Sequence, residues 1–128
     1  MGFYNQYLKI SDSLSIKEEE IYQSINTVLN SDSEELKELW EDVLLSALKY
    51  TEMRTKWNYF SVEEKNRKDS LRTNLHNDFM INLKAFYRLS DISGLSDNWL
   101  DKLGPEENRK RWGDFAGYLL LFESIKAR

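Results

Sequence analysis

The sequence predicts an all-α protein, a small bundle of four main helices at about residues 15–30, 33–57, 62–89 and 105–126, folded as one domain over residues 1–128. Three observations lead there. One proline and five glycines in 128 residues leave few places where a helix must stop. Ser15 with Glu18, Asp32 with Glu35 and Ser61 with Glu64 have the spacing of capping boxes, in which a side-chain oxygen and a carboxylate satisfy the amides left open at a helix start. Between these signals, apolar residues return every three or four positions, the period of one helical face.

The first helix gathers Ile21, Tyr22, Ile25, Val28 and Leu29 on one face and ends near Asn30. The second has the strongest pattern in the chain, with Leu36, Leu39, Trp40, Val43, Leu44, Ala47, Leu48, Tyr50 and Thr51 on a broad face running to about Trp57. Ser46 falls on its seam, so bundle packing is expected in place of a long coiled coil. The third helix opens on residues 63–70, which contain no apolar side chain and must face water or a partner. From there Leu71, Leu75, Phe79, Leu83, Phe86, Tyr87 and Leu89 share one half of the cylinder and are expected in the core.

A polar connection through Gly94 leads to a short helical turn near 97–103, stopped by Gly104 and Pro105. Proline suits the first position of the last helix, where Glu106 and Glu107 would meet the positive end of the dipole. That helix should turn Trp112, Phe115, Ala116, Leu119, Phe122 and Ile125 inward. Phe3, Tyr4, Tyr7 and Leu8 have the spacing for a minor N-terminal helix. Aromatic residues number 17, and their burial is the expected main source of stability.

Composition excludes several chemistries. Without cysteine there is no disulfide, thiolate metal site or thiol nucleophile, and with His76 the lone histidine no histidine-based zinc spacing exists. Neither a metal nor a cofactor is expected. The N-terminus lacks the basic and apolar regions of a secretory signal, and Gln6 stands where a myristoylation motif wants Ser or Thr. The longest apolar run, residues 115–122, is far short of the roughly 20 residues a spanning helix needs. A cytoplasmic protein with no membrane partner is expected.

Charge is segregated along the chain. Residues 11–45 carry ten acids and two bases, a net of −8, whereas residues 46–90 carry nine bases and five acids, a net of +4. Helices of opposite sign attract one another, so complementarity within the bundle is the first reading and a charged docking surface the second.

Three constellations compete for function. His76, with Arg72 four residues before it, sits on the flank of the third helix's apolar face. Imidazole titrates near neutrality and can act as a general base, but spacing supplies no nucleophile or orienting carboxylate, so a hydrogen-bonded histidine at the core margin is preferred. The run Arg109, Lys110, Arg111, Trp112, followed by Gly113 and Gly117, is the most unusual in the chain. Two glycines inside a helix each cost about 1 kcal/mol relative to alanine. Close helix packing over that small face would compensate, and a kink at Gly113 is the alternative. Three cations beside an indole could also hold a phosphate or an acidic segment of a partner.

Residues 83–103 resemble the turn and second helix of a helix-turn-helix motif, with Gly94 in the turn and Leu95 and Leu100 in buried positions. That second helix would offer Asp97 and Asp101 against Lys102, the wrong sign for a polyanion. The leading expectation is a protein-interaction module of regulatory, inhibitory or immunity type that is not an enzyme. A nucleic-acid-binding regulator using residues 83–103 and the basic middle third is the alternative, an enzyme using His76 comes third, and homo-oligomerisation stays open. Arg109, Lys110, Arg111, Trp112, Arg72 and His76 are the candidate residues for binding an anion or partner.

Overall fold

The computed structural model describes residues 17–95 and 97–126, and places in them four α-helices and one 3-10 helix, with no strand among the described residues. They are α1 (Lys17–Leu29), α2 (Glu34–Trp57), α3 (Val62–Ile92), the 3-10 helix (Trp99–Leu103) and α4 (Arg109–Lys126). Ser15 and the expected minor helix at Phe3 to Leu8 lie outside the described residues. No described helix is long and apolar enough to cross a membrane.

Cross-helix contacts fix the direction of each element. Trp40 meets Phe86, Tyr50 meets His76 and Phe79, and Arg72 lies over Trp57, so α2 and α3 are antiparallel. Trp40 and Arg54 reach Glu123 and Asp114, which sets α4 antiparallel to α2 as well. The connection from α3 therefore carries the chain back along the bundle, and α4 runs in the same direction as α1 and α3. Central α2 packs against α1, α3 and α4. Its inner residues Leu36, Trp40, Val43, Ala47 and Tyr50 join Ile21, Ile25, Phe79, Leu83, Phe86, Trp112, Phe115 and Leu119 in one core. Glu123 ties three helices together, its Oε1 accepting from the Tyr22 hydroxyl at 2.9 Å and the Trp40 indole at 3.2 Å.

Helix starts follow local chemistry, with two departures from the sequence reading. Ser61 caps α3, its hydroxyl accepting from the Glu64 N–H at 3.1 Å, as expected. For α2 the cap is Ser33 and not Asp32: Ser33 accepts from the Leu36 N–H at 3.3 Å, while Asp32 takes the left-handed φ of 65° that turns the chain. Pro105 does not start α4. Its carbonyl accepts from the Asn108 N–H and the Trp112 indole, each at 3.1 Å, and holds a turn ahead of the helix. Asn108 Oδ1 then accepts from the Arg111 N–H at 3.3 Å. Glu106, displaced from the first turn by this arrangement, pairs with Lys84.

Three residues expected inside are on the surface. Leu71 is 48% exposed because it lies on the flank of α3, about 100° round the helix from Arg72, which packs on Trp57 of α2. Leu48 faces away from the three neighbours of α2, and Ile125 lies in the last turn of α4. The segment resembling a helix-turn-helix is a turn followed by a single 3-10 element. Gly94 takes a φ of 73° after α3, Leu95 is exposed, and Trp99 and Leu103 are the buried residues in place of Leu95 and Leu100. A five-residue 3-10 helix pinned by buried Trp99 and Leu103 leaves no recognition helix to enter a groove.

Candidate anion-binding site

The middle of α3, the C-terminal half of α2 and the start of α4 meet around the Tyr50 ring. Helical spacing places Tyr50, Arg54 and Trp57 along one stripe of α2, and Arg72, His76 and Phe79 along the facing stripe of α3. His76 is 6% exposed and packs edge-on against Tyr50, with ring centroids 5.4 Å apart. Its Nδ1 lies 3.4 Å from Asn77 Oδ1, whereas Nε2 is buried without a hydrogen-bond partner. Burial is the main cause that holds the imidazole neutral, lowering its pKa from the ordinary value. Arg109 and Arg54 act in the same direction, against the Asn77 contact and Glu106.

Three guanidiniums surround this pair of rings. Arg72 lies 4.0 Å from the Trp57 ring centre and donates to exposed Asp69 at 3.1 Å, with its Nε buried and unpartnered. Arg54 sits 5.8 Å from the Tyr50 ring centre and donates to Asp114 at 3.1 Å. Arg109, at the first residue of α4, is exposed and makes no ion pair among the described residues. Burial raises the Tyr50 pKa, and the charges of Arg54, Arg109 and Arg72 oppose that rise while Asp114 adds to it.

Gly113 explains the position of Arg54. A methyl at Gly113 would stand 2.7 Å from Arg54 Cζ and Nη1, closer than real contacts allow. The expected close approach is therefore made by a guanidinium and not by a helix backbone. Gly117 has open space beside it, and α4 continues unbroken through both glycines.

The six sequence candidates divide into three groups. Arg72 and His76 share the stripe of α3 that faces α2, and Arg109 is near enough for its charge to act on Tyr50 and His76. Lys110 and Arg111 turn to the other side of α4: Lys110 pairs with Asp114 at 3.3 Å, and Arg111 donates to buried Glu18 at 3.1 Å and to the Lys102 carbonyl at 2.8 Å. Trp112 is buried, its indole committed to Pro105. Sequence reasoning missed Tyr50, and it had Arg54 only as one of the basic residues of the middle third. Gly113 was the available signal, since a small residue facing a long cation makes room for it.

No group of three His, Cys, Asp or Glu residues among those described is placed to hold a metal ion. His76 is 6% exposed and packed edge-on against Tyr50, which leaves little approach to it as a general base. Comparison with known protein families, curated proteins and solved structures finds no match to this chain, and the functional reading rests on the geometry alone.

Proposed function

We propose that this chain is a cytoplasmic protein-interaction module that works by contact, and that the basic end of the bundle meets an acidic segment of another protein. One observation carries the reading. Arg54, Arg72 and Lys110, from three helices, have the two carboxylates of Asp69 and Asp114 between them, Asp114 serving both Arg54 and Lys110, and exposed Arg109 makes no ion pair among the described residues. Complementarity within the bundle leaves this end with surplus positive charge, which steers an acidic partner and suppresses basic ones. The cysteine-free sequence suits a reducing compartment.

No observation favours the nucleic-acid alternative, because the 3-10 element presents Asp97 and Asp101 beside it to solvent. The test is affinity capture from the source organism at low salt, with wild type beside Arg109→Glu. Arg109 is exposed and makes no ion pair among the described residues, so its reversal should leave the fold intact. A stoichiometric acidic protein retained by wild type and lost on Arg109→Glu or at high salt supports the reading. Equal retention by both, or no stoichiometric protein, overturns it.

A further inference from the structure

We infer that the outer face of α2 and α3 is a self-association surface, on which a second copy of this chain packs antiparallel and closes a twofold dimer. This face shares no residue with the basic end that the proposed acidic partner would meet.

The face is apolar where solvent would ordinarily meet charge. Leu45 on α2 and Ile81 on α3 are 53% and 63% exposed, and with Leu75 they line one groove of about 190 Å³ between the two helices. Asp42, Ser46 and Lys49 complete its α2 wall, and Asp78 and Asn82 its α3 wall. Its neutral polar side chains are committed to the α2 backbone. Ser46 Oγ donates to the carbonyls of Asp42 and Val43, each at 2.9 Å, and Asn82 Nδ2 donates to the Asp42 carbonyl at 3.3 Å. What stays open is apolar surface flanked by charge, which suits a packed protein face better than a small polar ligand.

Charge selects the occupant. The first half of α2, residues 34–45, carries five acids and one base, and the second half, residues 46–57, three bases and one acid. The reversal of sign therefore falls beside Leu45, at the middle of the exposed face. Asp42 and Lys49 stand two helical turns apart on one stripe with Leu45 between them, both exposed and neither in an ion pair among the described residues. A copy turned end over end about an axis beside Leu45 sets Asp42 against the partner's Lys49, and Lys49 against the partner's Asp42. The same rotation lays the acidic half of α2 on the basic half of its twin. A contact that repeats itself under a twofold axis closes at two chains. α2 has 24 residues, so the face is about 36 Å long and about 20 Å wide across two helices, close to the roughly 800 Å² per partner of a standard interface.

The test is sedimentation equilibrium of the full chain up to sub-millimolar concentration. The mass should rise with concentration from 15.3 kDa towards twice that value and stop there. Asp42→Lys and Lys49→Glu each set like charges against one another at two symmetry-related places, so each should raise the dimer Kd about tenfold or more. Both positions are exposed, and an unchanged helical circular dichroism signal and melting temperature verify the fold of each variant. The Asp42→Lys chain is basic at both positions and the Lys49→Glu chain acidic at both, so an equimolar mixture should recover the dimer as a heterodimer. The mass of a single chain at every concentration, growth beyond two chains, a dimer that neither substitution weakens, or a mixture that associates no better than its parts overturns the inference.

Discussion

Replacing the two helical glycines separately by alanine distinguishes a hollow that holds a charge from one that holds nothing. In a helix interior the exchange of glycine for alanine is worth about 1 kcal/mol. At Gly117 a methyl meets no atom within 4 Å, so the whole gain should appear, as a rise in melting temperature of about 4 °C for a chain of this size. At Gly113 the methyl falls 2.7 Å from Arg54 Cζ, and the guanidinium must leave. Departure breaks its 3.1 Å pair with Asp114, whose two side chains are each 32% exposed. Such a pair is worth about 0.5–1 kcal/mol, so Gly113→Ala should come out within about 0.5 kcal/mol of wild type. The assay is urea denaturation of both variants and of each in an Arg54→Ala background. With Arg54 gone, Gly113→Ala should recover the gain seen at Gly117. Equal stabilisation by both alanines in the presence of Arg54 would refute the claim that Gly113 exists to seat the guanidinium.

Acidification should destabilise the fold through His76. Its pKa is lowered in the folded state, so below the ordinary histidine range the unfolded chain binds more protons and stability falls as pH drops from about 7.5 to 5.5. That part of the loss should be missing from His76→Gln when urea midpoints are compared at the two pH values. Arg111→Leu removes the 3.1 Å pair to buried Glu18 and the 2.8 Å bond to the Lys102 carbonyl and should cost about 2 kcal/mol in a denaturation series. Ser33→Ala removes the α2 cap and should cost about 1 kcal/mol by the same measurement, whereas Asp32→Ala, at a residue that caps nothing, should not reproduce a capping loss.

The sequence by itself determined the class of fold and most of the core, because helical period and capping chemistry are local properties. Leu36, Trp40, Val43 and Phe79 could be assigned inward from their spacing alone, and residues 63–70 could be assigned to water. Departures came where a neighbour decided the outcome. Leu71 belongs to the apolar half of α3, but α2 settles on the stripe of Arg72, His76 and Phe79 and leaves Leu71 on the flank, and which part of an apolar half a neighbour covers is not written in the pattern. Pro105 carries a helix-start signal, but its carbonyl is taken by the Trp112 indole, a tertiary contact that holds the turn open.

The candidate site divides along the same line. Sequence singled out His76, Arg72 and the cations from Arg109 to Arg111 as unusual residues, since their type and spacing are visible in one dimension. Only the packing of three helices set Arg54 against Gly113 and Arg72 on Trp57, while turning Arg111 onto Glu18. Adjacent helical residues point about 100° apart, so a run of three cations cannot share one ligand unless neighbouring elements bend towards it. Long-range packing gathered the arginines from separate helices, and that is why the site could be found only in three dimensions.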